Sequence, residues 1–204
     1  MGPGTDAPVL DFAPWTQTAS GIRLDLLSPQ PDMFTREDIA AGLSHAARFS
    51  GQTGRFFSVA QHSLLVSSLL KAWGHTPEVQ LLGLLHDAQE AYLCDLARPV
   101  KVLVPGYKEL ELRLWAAIRE RFGLDDLPPE VKDADNAALH AEAWELLGPP
   151  AGDWAGPQAE ASLQTVPDAR HWLNAVLTPQ EARSAFLQRW AELEGPSATG
   201  GNLN

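Results

Sequence analysis

The chain has 204 residues, 45% of them hydrophobic and 20% charged, which is enough apolar side chain for one compact core and excludes wholesale disorder. Its formal net charge of -11 at pH 7 argues against nonspecific contact with nucleic-acid polymers, whose binders present basic surfaces. The single cysteine, Cys94, forbids an intramolecular disulfide and a thiolate metal cluster, and beside Leu93 it reads as a small buried residue.

Residues 1 to 19 contain Pro and Gly and are expected to be irregular, with Phe12 and Trp15 anchoring them to the body. The opening Met1-Gly2-Pro3-Gly4-Thr5-Asp6 has neither a basic start nor an apolar run, and no stretch approaches the ~20 apolar residues that span a bilayer. A cytoplasmic location with no membrane partner is therefore the expectation. Residues 21 to 27 alternate well enough for a short strand, and 55 to 59 are expected to pair with them as a minor ribbon. Helical patterning then dominates. Thr35 and Asp38 cap a helix over 35 to 47, and Ser58 with Gln61 has capping-box spacing before a helix over 59 to 73. Thr76 and Pro77 open a helix to about 94, and further helices are expected over 107 to 122 and 129 to 147. Past Gly148, residues 149 to 157 read as a loop with Trp154 as a packing anchor. Thr178 and Glu181 then start a helix to about 193, which covers the main body and adds no second domain. One domain over 20 to 195 with a disordered tail over 196 to 204 is the resulting organisation, and the fold class is all-α with at most a short β-ribbon near the N-terminus.

Chemistry concentrates in His86-Asp87-Ala88-Gln89-Glu90. The preceding 77 to 85 has apolar helical spacing, so His86 and Asp87 are expected deep in a buried helix. An ionised carboxylate there costs several kcal/mol unless it is paired or bound to a cation, and a divalent metal is the simplest partner. The alternative for one such dipeptide is a hydrogen-bonded core histidine beside a chance carboxylate. Two further helices carry similar groups: His62 stands in the first turns after Ser58, and Asp133 and Asp135 lie on the 129 to 147 helix, two positions apart and so facing away from each other. In chain order the set is His, then His-Asp, then Asp. Imidazoles and carboxylates in equal number suit borderline or hard divalent ions.

The ordered set His62, His86-Asp87 and Asp135 resembles the HD-domain phosphohydrolase superfamily. Ala47-Arg48-Phe49 precedes the first His, Glu90 and Asp95 follow the pair, and Arg98-Pro99-Val100-Lys101 closes the stretch. This arrangement is similar to the branch that contains bacterial 5′-deoxynucleotidases and phage deoxyadenosine triphosphate triphosphohydrolases, over about Leu24 to Leu147. One departure concerns substrate choice: those deoxynucleotidases carry Arg-Trp where this chain has Arg48-Phe49.

The resemblance implies an HD-domain helical bundle in which His62, His86, Asp87 and Asp135, preferred to Asp133, hold one divalent ion, with Co, Mn, Zn, Mg and Fe all admissible. His45, His75, His140 and His171 lack ligand spacing and read as surface or core, which favours one ion per site. Glu90, one turn from His86, would orient or deprotonate the attacking water, and Asp95 would be a second acid/base or an orienting group. Arg48 would meet the substrate phosphate as a planar fork and Lys101 as a point charge, with Pro99 stiffening the loop that delivers it. Phe49 packs in the core or lies beside the sugar or base. Without the resemblance, Arg48 and Lys101 would read as solvated surface charges. The implied activity is hydrolysis of deoxynucleoside 5′-monophosphates. One alternative is a deoxynucleoside triphosphate triphosphohydrolase, another a catalytically idle nucleotide-binding module. Glu90 separates the last from the others, since an idle descendant has no need of it. The expected partner is a small nucleotide and not a polymer, and a homo-oligomer is compatible with the sequence.

Overall fold

The computed structural model of the protein describes residues 14 to 148 and 167 to 195. The architecture is all-α, with one two-stranded antiparallel ribbon at its N-terminal side. Strands β1, Trp15–Gln17, and β2, Arg23–Asp25, pair with Thr16 opposite Leu24. The ribbon partner thus differs from the expected 55 to 59, and part of the stretch expected to be irregular is a strand. A short local turn explains the choice: the Thr18 N–H donates to the Ile22 carbonyl and the Ile22 N–H to Thr18 Oγ1, so closing this hairpin orders few residues. Residues 55 to 59 instead run beside the end of the first helix, through an Ala47–Ser58 bridge and an Arg48 N–H donated to the Phe57 carbonyl.

Helix α1, Arg36–His45, begins where Thr35 Oγ1 accepts the Asp38 N–H, and it stops before the expected 47 because Ala46 is extended. The Asp38 carboxylate in turn accepts from the Ser20 N–H and hydroxyl, which clasps the hairpin onto α1. Helix α2, Val59–Ala72, opens on the expected Ser58–Gln61 capping box, and its residues from Val59 to Leu70 are all buried. A helix with no solvent face must have neighbours on every side. It packs against α3, Pro77–Leu85, against α7, Pro129–Leu147, and against α8, Pro167–Asn174, and α9, Pro179–Glu194. Its two sides feed two apolar clusters. Leu64 joins Leu24, Phe34, Ile39, Leu43, Leu84, Leu114, Ile118, Phe186 and Trp190, while Leu65, Val66, Leu69 and Leu70 join Phe57, Val131, Ala134, Ala138 and Leu173.

Between these layers the backbone approaches closely at two glycines. A Cβ on Gly42 of α1 would lie 2.4 Å from the Ala91 carbonyl, and one on Gly83 of α3 would lie 2.3 Å from a Leu70 methyl. Only the absent side chains let α1 reach the segment after the His-Asp pair and let α3 lie against α2.

The helix expected over 77 to 94 is broken. α3 ends at Leu85, residues 86 to 89 form turns, and α4, Glu90–Leu93, resumes the helical path. The cause is local. His86 Nδ1 donates to the Gly83 carbonyl, the acceptor that a regular helix reserves for the Asp87 N–H, and the backbone tightens to Ala88 N–H to Leu85 and Glu90 N–H to Asp87 bonds. Cys94 ends α4 with φ of 66° and is exposed, a correction to the expected buried cysteine. Pro99 sits inside the first turn of the short α5, Arg98–Lys101, and not in a loop, because a proline there forfeits no helical hydrogen bond. Helix α6, Tyr107–Phe122, and α7 keep their expected bounds, and α9 starts on the expected Thr178–Glu181 box. Expectations for Phe12, Trp154 and 196 to 204 fall outside the described residues. Among the described residues no helix is long and apolar enough to cross a membrane.

Candidate metal centre

Three elements converge on one point. The second turn of α2 carries His62, the turns after α3 carry His86 and Asp87, and α7 carries Asp135. His62 Nε2 lies 3.3 Å from His86 Nε2, 3.6 Å from Asp87 Oδ2 and 3.2 Å from Asp135 Oδ1. His86 Nε2 lies 3.1 Å from Asp87 Oδ2 and 3.8 Å from Asp135 Oδ1. His62 is wholly buried and His86 is 8% exposed, while Asp87 and Asp135 are partly open to solvent. Asp133 is exposed, so the two aspartates of α7 do face apart.

The outward ring nitrogens decide the chemistry of the inward ones. His62 Nδ1 is 2.6 Å from Glu142 Oε1 and His86 Nδ1 is 2.8 Å from the Gly83 carbonyl, and both oxygens can only accept when the carboxylate is ionised. Each Nδ1 therefore carries a proton, and each Nε2 faces the carboxylate oxygens, with a lone pair toward them when the ring is neutral. Acceptors facing acceptors demand a positive charge between them. The same demand appears in the acid–base balance. Burial lowers both imidazole pKa values, and the Arg48 charge lowers that of His62 further, yet Glu142 and Asp135 lift His62, and Asp87 and Asp135 lift His86 well above the usual range. Asp87 and Asp135 are held far below the ordinary carboxylate value, the imidazoles outweighing the cost of burial. The buried His62, His86 and Asp87 group can hold a metal ion. Donor atoms bonded at ~2.1 Å in tetrahedral arrangement lie ~3.4 Å apart, and the contacts among His62, His86 and Asp87 span 3.1 Å to 3.6 Å, with Asp135 beside the two imidazoles. The donor chemistry of His62, His86 and Asp87 fits a metal ion.

Around the cluster the expected cations are already paired. Arg48, 7% exposed, donates from Nε and Nη2 to Glu142 Oε2 at 3.1 Å and 3.0 Å and from Nη1 to Asp95 Oδ2 at 3.1 Å. Lys101 Nζ lies 2.7 Å from both Glu90 Oε1 and Glu111 Oε1. Neither is a free surface charge. Glu90 is 2% exposed, and burial, followed by the nearby Asp87 and Asp95 charges, raises its pKa to about 8 against the opposing pull of Lys101. Phe49 places its ring 5.5 Å from the Arg48 guanidinium and packs against the second apolar cluster. Its φ of 54°, followed by 53° at Ser50, is a left-handed conformation that side chains rarely adopt. Pro99 is exposed. His45 bonds the Ala41 carbonyl within α1 and His171 packs on Trp172 within α8, both outside the cluster.

No family model matches the chain. It is 44% identical over 189 residues to an uncharacterized protein of Rhodobacter capsulatus, a match that covers 86% of this chain and 93% of that protein. It is 35% identical over 157 residues to the uncharacterized protein YfdR of Escherichia coli K12, covering 76% of this chain and 82% of that one. The chain belongs to the family of these two proteins. Neither relative carries a stated activity.

One buried site residue escaped the sequence reading. Glu142 is fully buried and its carboxylate joins His62 to Arg48. Its signal was present in the spacing, because it follows Asp135 by seven residues, two turns along the same face of α7. Nothing in the spacing says that Arg48, 94 residues away, is its counter-charge. Burial would raise the Glu142 pKa, but Arg48 and then His62 outweigh it and hold the carboxylate ionised.

Proposed function

We propose that this chain is an HD-type, metal-dependent phosphohydrolase that acts on deoxynucleotides, with deoxynucleoside 5′-monophosphates as its substrate class. The observation that carries the reading is the buried convergence of two Nε2 lone pairs with carboxylate oxygens, each imidazole fixed by an outward Nδ1–H bond. His62, His86, Asp87 and Asp135 would hold one divalent ion. Such an ion, when bound, polarises a phosphoryl oxygen and makes water a competent nucleophile near neutral pH.

The remaining steps belong to side chains. Glu90 lies one helical turn beyond the His-Asp pair, and among the described residues its Oε2 has no hydrogen-bond partner while Lys101 holds Oε1. A carboxylate with one oxygen anchored and one free, its pKa raised to about 8, is placed to take a proton from attacking water. Arg48 spends three of its five N–H donors on Glu142 and Asp95 and keeps two for a phosphate oxygen. Asp95 serves here to fix that guanidinium. Lys101 spends two of three ammonium protons on Glu90 and Glu111, and the third supplies a point charge to the same phosphate. Phe49 follows Arg48 directly and would border the sugar.

Metal content by elemental analysis, followed by phosphate release from deoxy and ribo mono- and triphosphates of each base, tests the reading. Inorganic phosphate from deoxynucleoside monophosphates is expected, with a preference over ribonucleotides of about 1 to 3 kcal/mol in kcat/KM, the size a steric or apolar contact gives. Release of triphosphate from deoxynucleoside triphosphates would move the substrate class to the triphosphohydrolase alternative. Nucleotide binding without turnover in the metal-loaded protein would leave the idle binding module.

A further inference from the structure

Among the described residues Glu142 is a fully buried carboxylate whose cost packing does not explain. It is wholly buried and sits on α7 where an apolar residue would join the second cluster beside Ala138 and Ala141. A buried ion pair is on average no more stabilising than well-packed apolar residues of the same volume. Its geometry is specific. Oε1 takes the His62 Nδ1–H at 2.6 Å, a short charge-assisted bond, and Oε2 takes two N–H groups of Arg48. Each oxygen therefore serves a different partner. A glutamine could present its single carbonyl oxygen to only one of them and would turn an NH2 against the N–H groups of the other.

We infer that Glu142 is the positioning residue of the metal centre, a charged link through which Arg48 fixes His62 in the Nδ1–H tautomer with its Nε2 lone pair facing the other ligands. The inference rests on the proposed metal site and adds to it a residue outside the ligand set. The two histidines differ in this respect. His86 is oriented by a backbone carbonyl of its own helix, which no substitution at another position removes, whereas His62 depends on a side chain 80 residues away. Orientation by an outer carboxylate also raises the basicity of the ring toward a cation. It follows that Arg48 influences cation binding through Glu142, in addition to any contact with substrate.

The test is zinc affinity of the full chain, measured by competition with a chromophoric chelator in the absence of nucleotide. Glu142→Gln should bind zinc 10- to 100-fold more weakly than the wild type. Ser68→Ala is the control for a merely structural effect: its hydroxyl, on α2 six residues beyond His62, accepts from Trp172 Nε1 at 3.0 Å. It should lower the melting temperature and leave zinc affinity unchanged. A folded Glu142→Gln protein with wild-type zinc affinity overturns the inference and leaves the metal site standing, whereas a wild type that binds no zinc overturns both. If Glu142→Gln does not fold, nitrogen-15 NMR of the zinc-loaded wild type decides. A proton on His62 Nδ1, protected from exchange and shifted far downfield, is expected, and an Nδ1 without a proton overturns the assignment.

Discussion

The apolar layer under α9 and the polar centre between α2, α3 and α7 are both largely buried and are held together in opposite ways. Around Phe186 and Trp190 the stabilisation is summed over many interchangeable contacts: Trp190 packs edge-to-face on Phe122 and Phe186, and losing one partner leaves the others. In the centre each contact is exclusive. His62 Nδ1 has one acceptor, Arg48 faces two carboxylates, and Glu90 shares Lys101 with Glu111. The apolar layer can therefore be repacked gradually, while the centre fails one residue at a time. Such a centre is no more stabilising than well-packed apolar residues would be unless something positive occupies it.

The comparison breaks most sharply at the His-Asp pair. His86→Ala and Asp87→Ala should each lose metal binding and hydrolysis together, by two orders of magnitude or more, since each removes one donor of a small set. Full activity in either variant would remove the site, and calorimetric metal titration beside a phosphate-release assay reads both quantities. Glu90 comes next. Glu90→Gln should retain the ion and lose about 100- to 10,000-fold in turnover, the range expected for a general base. Glu90 must be ionised to accept a proton, so the wild-type rate should climb with pH toward its value of about 8. A cation beside Asp87 offsets one of the charges that raise this group and moves the limb to lower pH, and the limb should be missing from Glu90→Gln. Metal lost in parallel with rate would make Glu90 a ligand.

On the apolar side, Trp190→Ala should cost about 3 to 5 kcal/mol of stability, the range for a large aromatic deleted from a core. It should leave metal affinity within a factor of two at temperatures where the protein stays folded. Urea unfolding and metal titration of one sample separate the two effects, and a large loss of affinity would show that the layers are coupled. The smallest effect concerns the clasp between hairpin and α1. Burial raises the Asp38 pKa, but the Ser20, Thr18 and Thr35 hydrogen bonds outweigh it and hold the folded-state value below that of the unfolded chain. The clasp therefore contributes its full stability above the ordinary carboxylate range and loses it as pH falls through the folded value. Asp38→Asn should cost about 1 kcal/mol at pH 7 and nothing at the acidic end. Parallel pH-stability curves for the two proteins would contradict this.

What the sequence determined by itself was whatever depends on neighbours three or four residues apart. The caps at Thr35, Ser58 and Thr178 lie where the spacing puts them, because a side chain capping a helix reaches only the next turn. The bounds of α6 and α7 follow from apolar periodicity, and the four candidate ligands are legible because their order along the chain forms a pattern. Tertiary structure decided the rest. The helix over 77 to 94 breaks because the His86 ring competes for a backbone carbonyl, and the geometry of that ring is set by what it faces across the site. Strand β2 chose β1 over 55 to 59, which the end of α1 had already engaged. Arg48 and Lys101 look like free cations in the sequence, yet folding surrounds them with Glu142, Asp95, Glu90 and Glu111. A charge pair joined across 94 residues leaves no trace in local spacing, because only the packing of α7 beside α2 brings Glu142 within reach of Arg48 and removes the water that would otherwise screen them.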